Sequence, residues 1–136
     1  MQILWDKDLE QPEVEISDSS SGLCDLGNLF LNVNSNRKIL GEQKTCEYYS
    51  GSLHKIEIFY LQKCFENDRH DRLKIFVENQ KNLVMKGNKL AFRKLGTSIV
   101  NFFDEQSQPG EHFHLSYLER DILLAPTNCH LIFVCR

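Results

Sequence analysis

Residues 82–115 read NLVMKGNKLAFRKLGTSIVNFFDEQSQPGEHFHL, and this stretch decides the fold class. The apolar run at 82–86 predicts a strand. Asn88 is a preferred N-cap residue, and the apolar residues after it recur at helical spacing, which predicts a helix that ends near Asp104. A Pro-Gly pair then breaks the chain. The alternating segment at 112–117 predicts a further strand.

The first half of the chain has a similar pattern. A short strand at 14–16 leads into a segment rich in N-cap residues, Ser17 to Gly22, which predicts a helix from about Leu23 to Leu31. The alternating residues 53–61 predict a long central strand. Further strands are predicted at 37–40, 45–49, 72–78 and 129–135. Together these patterns predict one α+β domain over residues 1–136, with a mainly antiparallel sheet and two helices on one face.

The two halves also echo each other in sequence. A Leu-Gly pair at 26–27 recurs at 95–96, an offset of 69, and the strand from His54 resembles the strand from His130, an offset of 76. These echoes predict an internal duplication with half-repeats at 14–61 and 72–135. Periodic α+β patterning also produces such echoes by chance, so both interpretations stay open. Because glycine has no side chain, each Leu-Gly pair predicts a helix that lies close on the sheet.

Composition restricts the class of protein. Hydrophobic residues make up 41% and charged residues 26% of the chain, which is ordinary for a globular domain. No apolar run approaches the ~18 residues of a membrane span, and the N-terminus does not resemble a secretion signal. The five cysteines, at 24, 46, 64, 129 and 135, form no Cys-x-x-Cys motif. We therefore expect reduced thiols, a cytoplasmic location and no cofactor.

Charge is unevenly placed along the chain. Residues 1–36 hold seven acidic side chains against Lys7 alone, a balance of −6, and the remaining residues hold 15 basic and 12 acidic side chains, a balance of +3. The acidic stretch would repel nucleic acid and could attract a basic protein. A solvated, partly frayed terminus explains the same residues. We expect a protein partner, and neither nucleic acid nor a membrane.

The histidines are the most conspicuous candidates for chemistry. His112 and His114 lie two apart in a predicted strand, so they share a face and could hold zinc if Glu111, Cys129 or His130 supplied a third ligand. The sequence offers no second spaced ligand motif, so we predict no metal. Cys129 and His130 are adjacent in a strand and point to opposite faces, which disfavours a nucleophile and base pair. The acidic pairs Asp104-Glu105 and Asp68 with Asp71 fit a solvated surface, so no catalytic residue is predicted.

Adjacent tyrosines favour a protein interface. In a strand, one member of the Tyr48-Tyr49 pair should point away from the buried face, and exposed tyrosines beside acidic residues suit partner binding. Packing on both faces of a covered sheet is the alternative. The predicted partner-binding residues are Asp6, Asp8, Glu10, Glu13, Asp18, Tyr48 and Tyr49.

The second half resembles a known group of proteins. The run KGNKLAFRKLG at 86–96, followed by PGEHFHL at 109–115 and a closing apolar strand, resembles small α+β immunity proteins of bacterial polymorphic-toxin and contact-dependent inhibition systems. The resemblance covers about fifty residues, and the strand with its two histidines is the most specific part. It implies a non-enzymatic protein that binds and neutralises one toxin domain in the cytoplasm. The acidic first third would suit a basic, nuclease-like toxin.

Two other functions remain open at this point. One is a small enzyme or ligand-binding domain with a pocket near His112, His114 and His130. The other is a scaffold or subunit of a different bacterial assembly.

Overall fold

The computed structural model describes residues 1–44, 46–63, 70–118 and 120–136. Within these ranges the chain forms nine strands and two helices. In chain order they are β1 (Gln2–Trp5), β2 (Glu13–Asp18), α1 (Ser20–Leu31), β3 (Arg37–Leu40), β4 (Gly51–Ser52), β5 (Lys55–Tyr60), β6 (Lys74–Glu78), β7 (Asn82–Gly87), α2 (Lys89–Phe102), β8 (His112–Leu115) and β9 (His130–Cys135).

The strands form two mixed sheets. The five-stranded sheet has the order β4-β1-β2-β9-β8, and the four-stranded sheet has the order β3-β5-β7-β6. One parallel ladder lies in each sheet, β2 with β9 and β5 with β7, and the other strand pairs are antiparallel. Helix α1 contacts β2 and β9, helix α2 contacts β7, and the helices pack along each other.

The predicted α+β class is confirmed, and the arrangement within it differs from the prediction in one respect. The strands are divided between two sheets, each carrying one helix, where the sequence predicted one sheet with both helices on one face. The parallel ladders decide which strands share a sheet, because β2 pairs with β9 and β5 pairs with β7. The strands of each ladder are not consecutive in the sequence. Alternation within a strand shows which residues are buried and gives no information on which strand is the neighbour.

The two halves have the same order of elements. Each contains an antiparallel strand pair, a helix, and a second antiparallel strand pair: β1–β2, α1 and β3–β5, then β6–β7, α2 and β8–β9. Each sheet combines the first pair of one half with the second pair of the other. Origin by duplication, with repeats at 14–61 and 72–135, stays a prediction.

The ladders correct the offset that relates the second strand pairs. Glu13 and Asn82 lie 69 residues apart, which is the offset between the two helices. Glu13 pairs with His130 and Asn82 pairs with Lys55, so these two partners correspond at an offset of 75. The predicted match of His54 with His130, at 76, is one residue out of register. A shift of one residue exchanges the two faces of a strand, so it pairs a core side chain with an outward one.

Both helices begin at the residues that local chemistry favours. The hydroxyl of Ser19 accepts a hydrogen bond from the Gly22 amide, and the Asn88 side chain accepts one from the Ala91 amide at 3.0 Å. Asn88 also donates to Asp71 Oδ1 at 2.6 Å. Such caps satisfy amide groups that have no partner within the helix. Helix α1 therefore begins three residues before the predicted Leu23.

The glycines at 27 and 96 lie where the helices cross. A methyl group at Gly96 would come within 2.6 Å of the Gly27 carbonyl oxygen and 2.8 Å of the Leu31 amide nitrogen. A methyl group at Gly27 would come within 2.7 Å of Val100 Cγ1. The prediction that these glycines face the sheet is therefore wrong, since they bring the two helices together. Each helix has an apolar stripe wide enough to touch both a sheet and its neighbour, and spacing alone does not identify which side needs the close approach.

Several local predictions hold and a few do not. The β6–β7 hairpin turns through Asn79, Gln80 and Lys81. Asn79 and Gln80 both have positive φ, and the Lys81 amide donates to the Glu78 carbonyl, as in a type I′ turn. Strand β1 was not predicted from the sequence. The predicted strand at 45–49 is absent from its described part, 46–49, and Thr45 lies outside the described residues.

The core is one continuous cluster of both helices and the inner faces of both sheets. No helix in the described part of the chain is long and apolar enough to cross a membrane.

Candidate functional site

The turn between β1 and β2 gathers four of the predicted partner-binding carboxylates. Asp8 and Glu10 are exposed, whereas Asp6 and Glu13 are half-buried at the strand ends. The only positive charge within the turn is Lys7. We call this surface the acidic end. It is defined by Asp6, Asp8, Leu9, Glu10, Glu13 and Tyr48.

Two carboxylates of the acidic end organise its backbone. Asp6 Oδ1 accepts hydrogen bonds from the amides of Asp8 and Glu13, at 3.0 and 3.1 Å. Asp8 Oδ1 accepts from the amides of Glu10 and Gln11, at 2.9 and 3.1 Å. These backbone hydrogen bonds hold the pKa of Asp8 below its ordinary value, because they favour the charged form. The turn is therefore ordered by the same groups that make it negative.

The two adjacent tyrosines have different environments. Tyr49 is 8% exposed and its phenol donates a 2.7 Å hydrogen bond to Glu13 Oε1. Burial, together with this carboxylate, raises the pKa of Tyr49 above its ordinary value. Tyr48 is 85% exposed. Tyr48 is thus available to a partner, whereas the predicted contribution of Tyr49 is limited to holding its segment against β2.

Leu9 is the residue that sequence reasoning missed. It is 69% exposed at the turn, between the charged side chains of Asp8 and Glu10. An apolar residue in an otherwise polar turn was the available signal. Asp18, by contrast, lies at the far end of β2, about 16 Å from Glu13 at the usual rise per residue, so the structure does not bring it to the acidic end.

The histidines form an exposed strip on the five-stranded sheet. The rings of His112 and His114 lie edge to face with centroids 5.0 Å apart, and both are exposed. His114 is paired with Ile132, so exposed His130 is its diagonal neighbour on β9. Within the described ranges, no group of three or more His, Cys, Asp or Glu side chains is placed to hold a metal ion.

The cysteines have mainly structural environments. Cys129 is 2% exposed in the core, where burial raises the pKa of its thiol to about 12, while adjacent His130 is exposed on the other face of the chain. Burial and the charge of Asp104 raise the pKa of Cys24. Cys135 is buried and Cys46 is exposed, and all four described cysteines are free. Cys64 lies outside the described residues.

These environments predict a large difference in thiol reactivity. In a Cys64→Ser variant, a brief treatment with iodoacetamide near neutral pH should label Cys46, because thiolate character and access both limit alkylation. Cys129 and Cys135 should be labelled only after denaturation. Peptide mass spectrometry would measure the order, and rapid labelling of Cys129 in the folded protein would contradict its placement in the core.

The described members of the two carboxylate pairs have surface or structural environments. Asp104 and Glu105 are exposed, and Asp104 accepts a hydrogen bond from the Gln106 amide. Asp71 binds the helix cap Asn88, and Asp68 lies outside the described residues.

One carboxylate on the outer face of the five-stranded sheet is buried. Glu15 is 5% exposed and lies between Leu4 and Ile132 in the ladders. Its Oε1 is 2.8 Å from Nη2 of Arg136, and this hydrogen bond raises the pKa of Arg136. The neighbouring hydroxyl of Ser17 is buried without a hydrogen-bond partner.

Comparison with known proteins gave no match: no protein-family model, curated protein or solved structure is similar to the chain.

Proposed function

We propose that this chain is an immunity protein that neutralises a bacterial toxin domain by binding it through the acidic end. The observation that carries the proposal is the acidic turn with exposed Leu9, together with exposed Tyr48 in the segment that Tyr49 bonds to Glu13. Interfaces commonly consist of an apolar or aromatic centre that excludes water and a charged rim that steers the partner. The partner of matching chemistry is a basic protein surface.

The rigidity of the acidic end supports this function. The turn is held by four hydrogen bonds to Asp6 and Asp8, and the segment that carries Tyr48 is tied to β2 by the bond from Tyr49 to Glu13. A surface that is ordered before binding loses less conformational entropy when the complex forms. The acidic end is thus suited to tight association.

The toxin that fits best is a basic domain such as a nuclease, met in the cytoplasm of the producing cell or its siblings. The resemblance at 86–96 and 109–115 motivates the toxin assignment, and the free cysteines agree with a reducing compartment. In this function the chain acts by steric and electrostatic blockade, without catalysis or a cofactor. The rival function, a small enzyme or ligand-binding domain near His112, His114 and His130, has less support, since these imidazoles lie on an exposed face.

The test is binding kinetics with the toxin domain encoded by the neighbouring open reading frame. Tyr48→Ala should raise the Kd about thirtyfold or more, mainly through faster dissociation, because it removes an anchor worth ~2 kcal/mol. Glu10→Lys should mainly slow association, and the effect should shrink as salt rises. Asp6 and Asp8 are left intact because they hold the turn.

Matched controls change similar side chains elsewhere. Leu118→Ala removes an exposed apolar group and is the control for Tyr48→Ala. Glu105→Lys reverses an exposed charge and is the control for Glu10→Lys. Neither residue lies in the acidic end. Both should bind and protect cells like the parent. Parental binding by Tyr48→Ala and Glu10→Lys would exclude the acidic end as the interface, and failure of the parent to bind the neighbouring toxin would refute the immunity function.

A further inference from the structure

The outer face of the four-stranded sheet carries aromatic and basic side chains together. Ile56 and Ile58 of β5 point into the core, so Phe59 belongs to the opposite set with Glu57. The same alternation places Phe76 on β6 and Lys86 on β7 outward. Both phenylalanines are half-buried and therefore present part of each ring. We call this surface the lysine–phenylalanine face. It is defined by Lys38, Phe59, Lys74, Phe76 and Lys86.

Lys86 connects the two rings. Its Nζ lies 5.1 Å from the centroid of Phe59 and 5.5 Å from that of Phe76, which is cation–π distance for both. Within the described residues, none of the ion pairs formed by carboxylates includes Lys86. The face therefore holds a positive charge between two aromatic surfaces.

The charge of this face differs in sign from that of the acidic end. Lys38 and Lys74 are exposed at its two edge strands. Lys55 and Glu57 pair with each other, so among the described residues of the outer face Glu78 is the acidic group that remains to offset the other lysines. A cavity of about 400 Å³ adjoins Phe59 and is also lined by Arg37, Lys38 and Glu57. Basic side chains thus lie beside both the rings and the adjoining cavity, in which Glu57 is the acidic lining residue.

We propose that the lysine–phenylalanine face binds single-stranded nucleic acid. Bases would stack on the accessible parts of the half-buried Phe59 and Phe76 rings, while lysines contact the phosphates between the bases. Bases in a duplex are already stacked on one another, so a duplex cannot use the rings. An acidic peptide would use the lysines and leave the rings without a role. The inference departs from the expectation drawn from net charge, because net charge does not describe a single face.

This binding goes beyond the proposed function and needs no toxin. The measurement is fluorescence anisotropy of a labelled oligothymidylate of about 12 nucleotides, with the full chain at about 50 mM salt. Phe59→Ala and Phe76→Ala should each weaken binding at least about fivefold, because each removes one stacking surface. Phe76→Tyr should retain binding. Lys86→Gln should reduce the slope of log affinity against log salt by about 0.7, the value for one phosphate contact on a single strand.

The controls separate this face from general attraction to positive charge. Lys89→Gln removes an exposed lysine on helix α2 and should bind like the parent. Melting temperatures must show that the phenylalanine variants are folded, and Lys86→Gln tests the face without removing a ring. Absence of oligonucleotide binding would overturn the proposal. So would equal affinity for a duplex or for polyglutamate, or parental binding by Phe59→Ala, Phe76→Ala and Lys86→Gln. None of these results depends on toxin binding, so the two proposals succeed or fail separately.

Discussion

Gly96→Ala is expected to lower the free energy of unfolding by about 1–3 kcal/mol, and Gly96→Leu by more. Alanine is the better helix former by ~1 kcal/mol, so an exposed site would show stabilisation. At Gly96 the added methyl would meet the backbone of helix α1 at 2.6 and 2.8 Å, and backbone atoms cannot rotate away. The helices must separate, and the core between them loses packing. The melting temperature should fall by about 4 °C for each kcal/mol at this chain length.

Two variants provide the comparison for Gly96. Thr97→Ala changes the next residue, which is exposed on the same helix, and should be neutral or slightly stabilising. Gly27→Ala should cost less than Gly96→Ala, because its methyl would meet side-chain atoms of Val100 and Ile99, which can shift. Thermal and urea unfolding would measure all three. An unchanged melting temperature for Gly96→Ala would contradict the close crossing of the helices.

Arg136→Ala is expected to cost about 1–3 kcal/mol, because it leaves the buried Glu15 carboxylate without its partner. The Glu15 side chain is 7% exposed and that of Arg136 is 57% exposed, so solvent screens the pair from one side only. Glu15→Leu should be close to neutral, since leucine would pack between Leu4 and Ile132 and the arginine would remain hydrated. The two single changes are therefore expected to have unequal costs.

A double-mutant cycle tests this asymmetry. Adding Glu15→Leu to Arg136→Ala should recover most of the lost stability, because no buried charge then remains. Lys44→Ala is the matched control, since it breaks an ion pair with Glu42 in which both side chains are more than half exposed. Its cost should be far smaller than that of Arg136→Ala, because solvent screens an exposed ion pair. If Arg136→Ala were as mild as this control, Glu15 would have another partner or access to water.

Local chemistry predicted the local structure well. The caps at Ser19 and Asn88, the hairpin at Asn79 and the alternation around Ile56 depend on neighbouring residues, so a single sequence contains them. Strand pairing is different, because the β2–β9 and β5–β7 ladders depend on residues far apart in the chain. The division into two sheets depends on those ladders. The glycine contact between the helices likewise joins residues far apart in the chain, so local periodicity predicted neither feature.

The candidate site was predicted in part. Its acidic composition is visible in the first 36 residues, whereas the outward tyrosine was predicted from a strand at 45–49 that the described residues 46–49 do not form. Which tyrosine faces outward depends on the hydrogen bond from Tyr49 to Glu13, a contact between residues far apart in the chain. The lysine–phenylalanine face was not predicted at all. Its members lie on β3, β5, β6 and β7 and meet only once the four-stranded sheet has formed.

The exchange of strand pairs gives the molecule the topology of a strand-swapped dimer, with the two halves of one polypeptide in the places of the two subunits. Neither half can complete a sheet by itself, since each of its strand pairs is bordered by a pair from the other half. The parallel ladder of the four-stranded sheet requires β7, and that of the five-stranded sheet requires β9, the last strand of the chain. We therefore expect slow, all-or-none folding. Two fragments divided between β5 and β6 should each remain unfolded alone and should reconstitute the native fold when mixed.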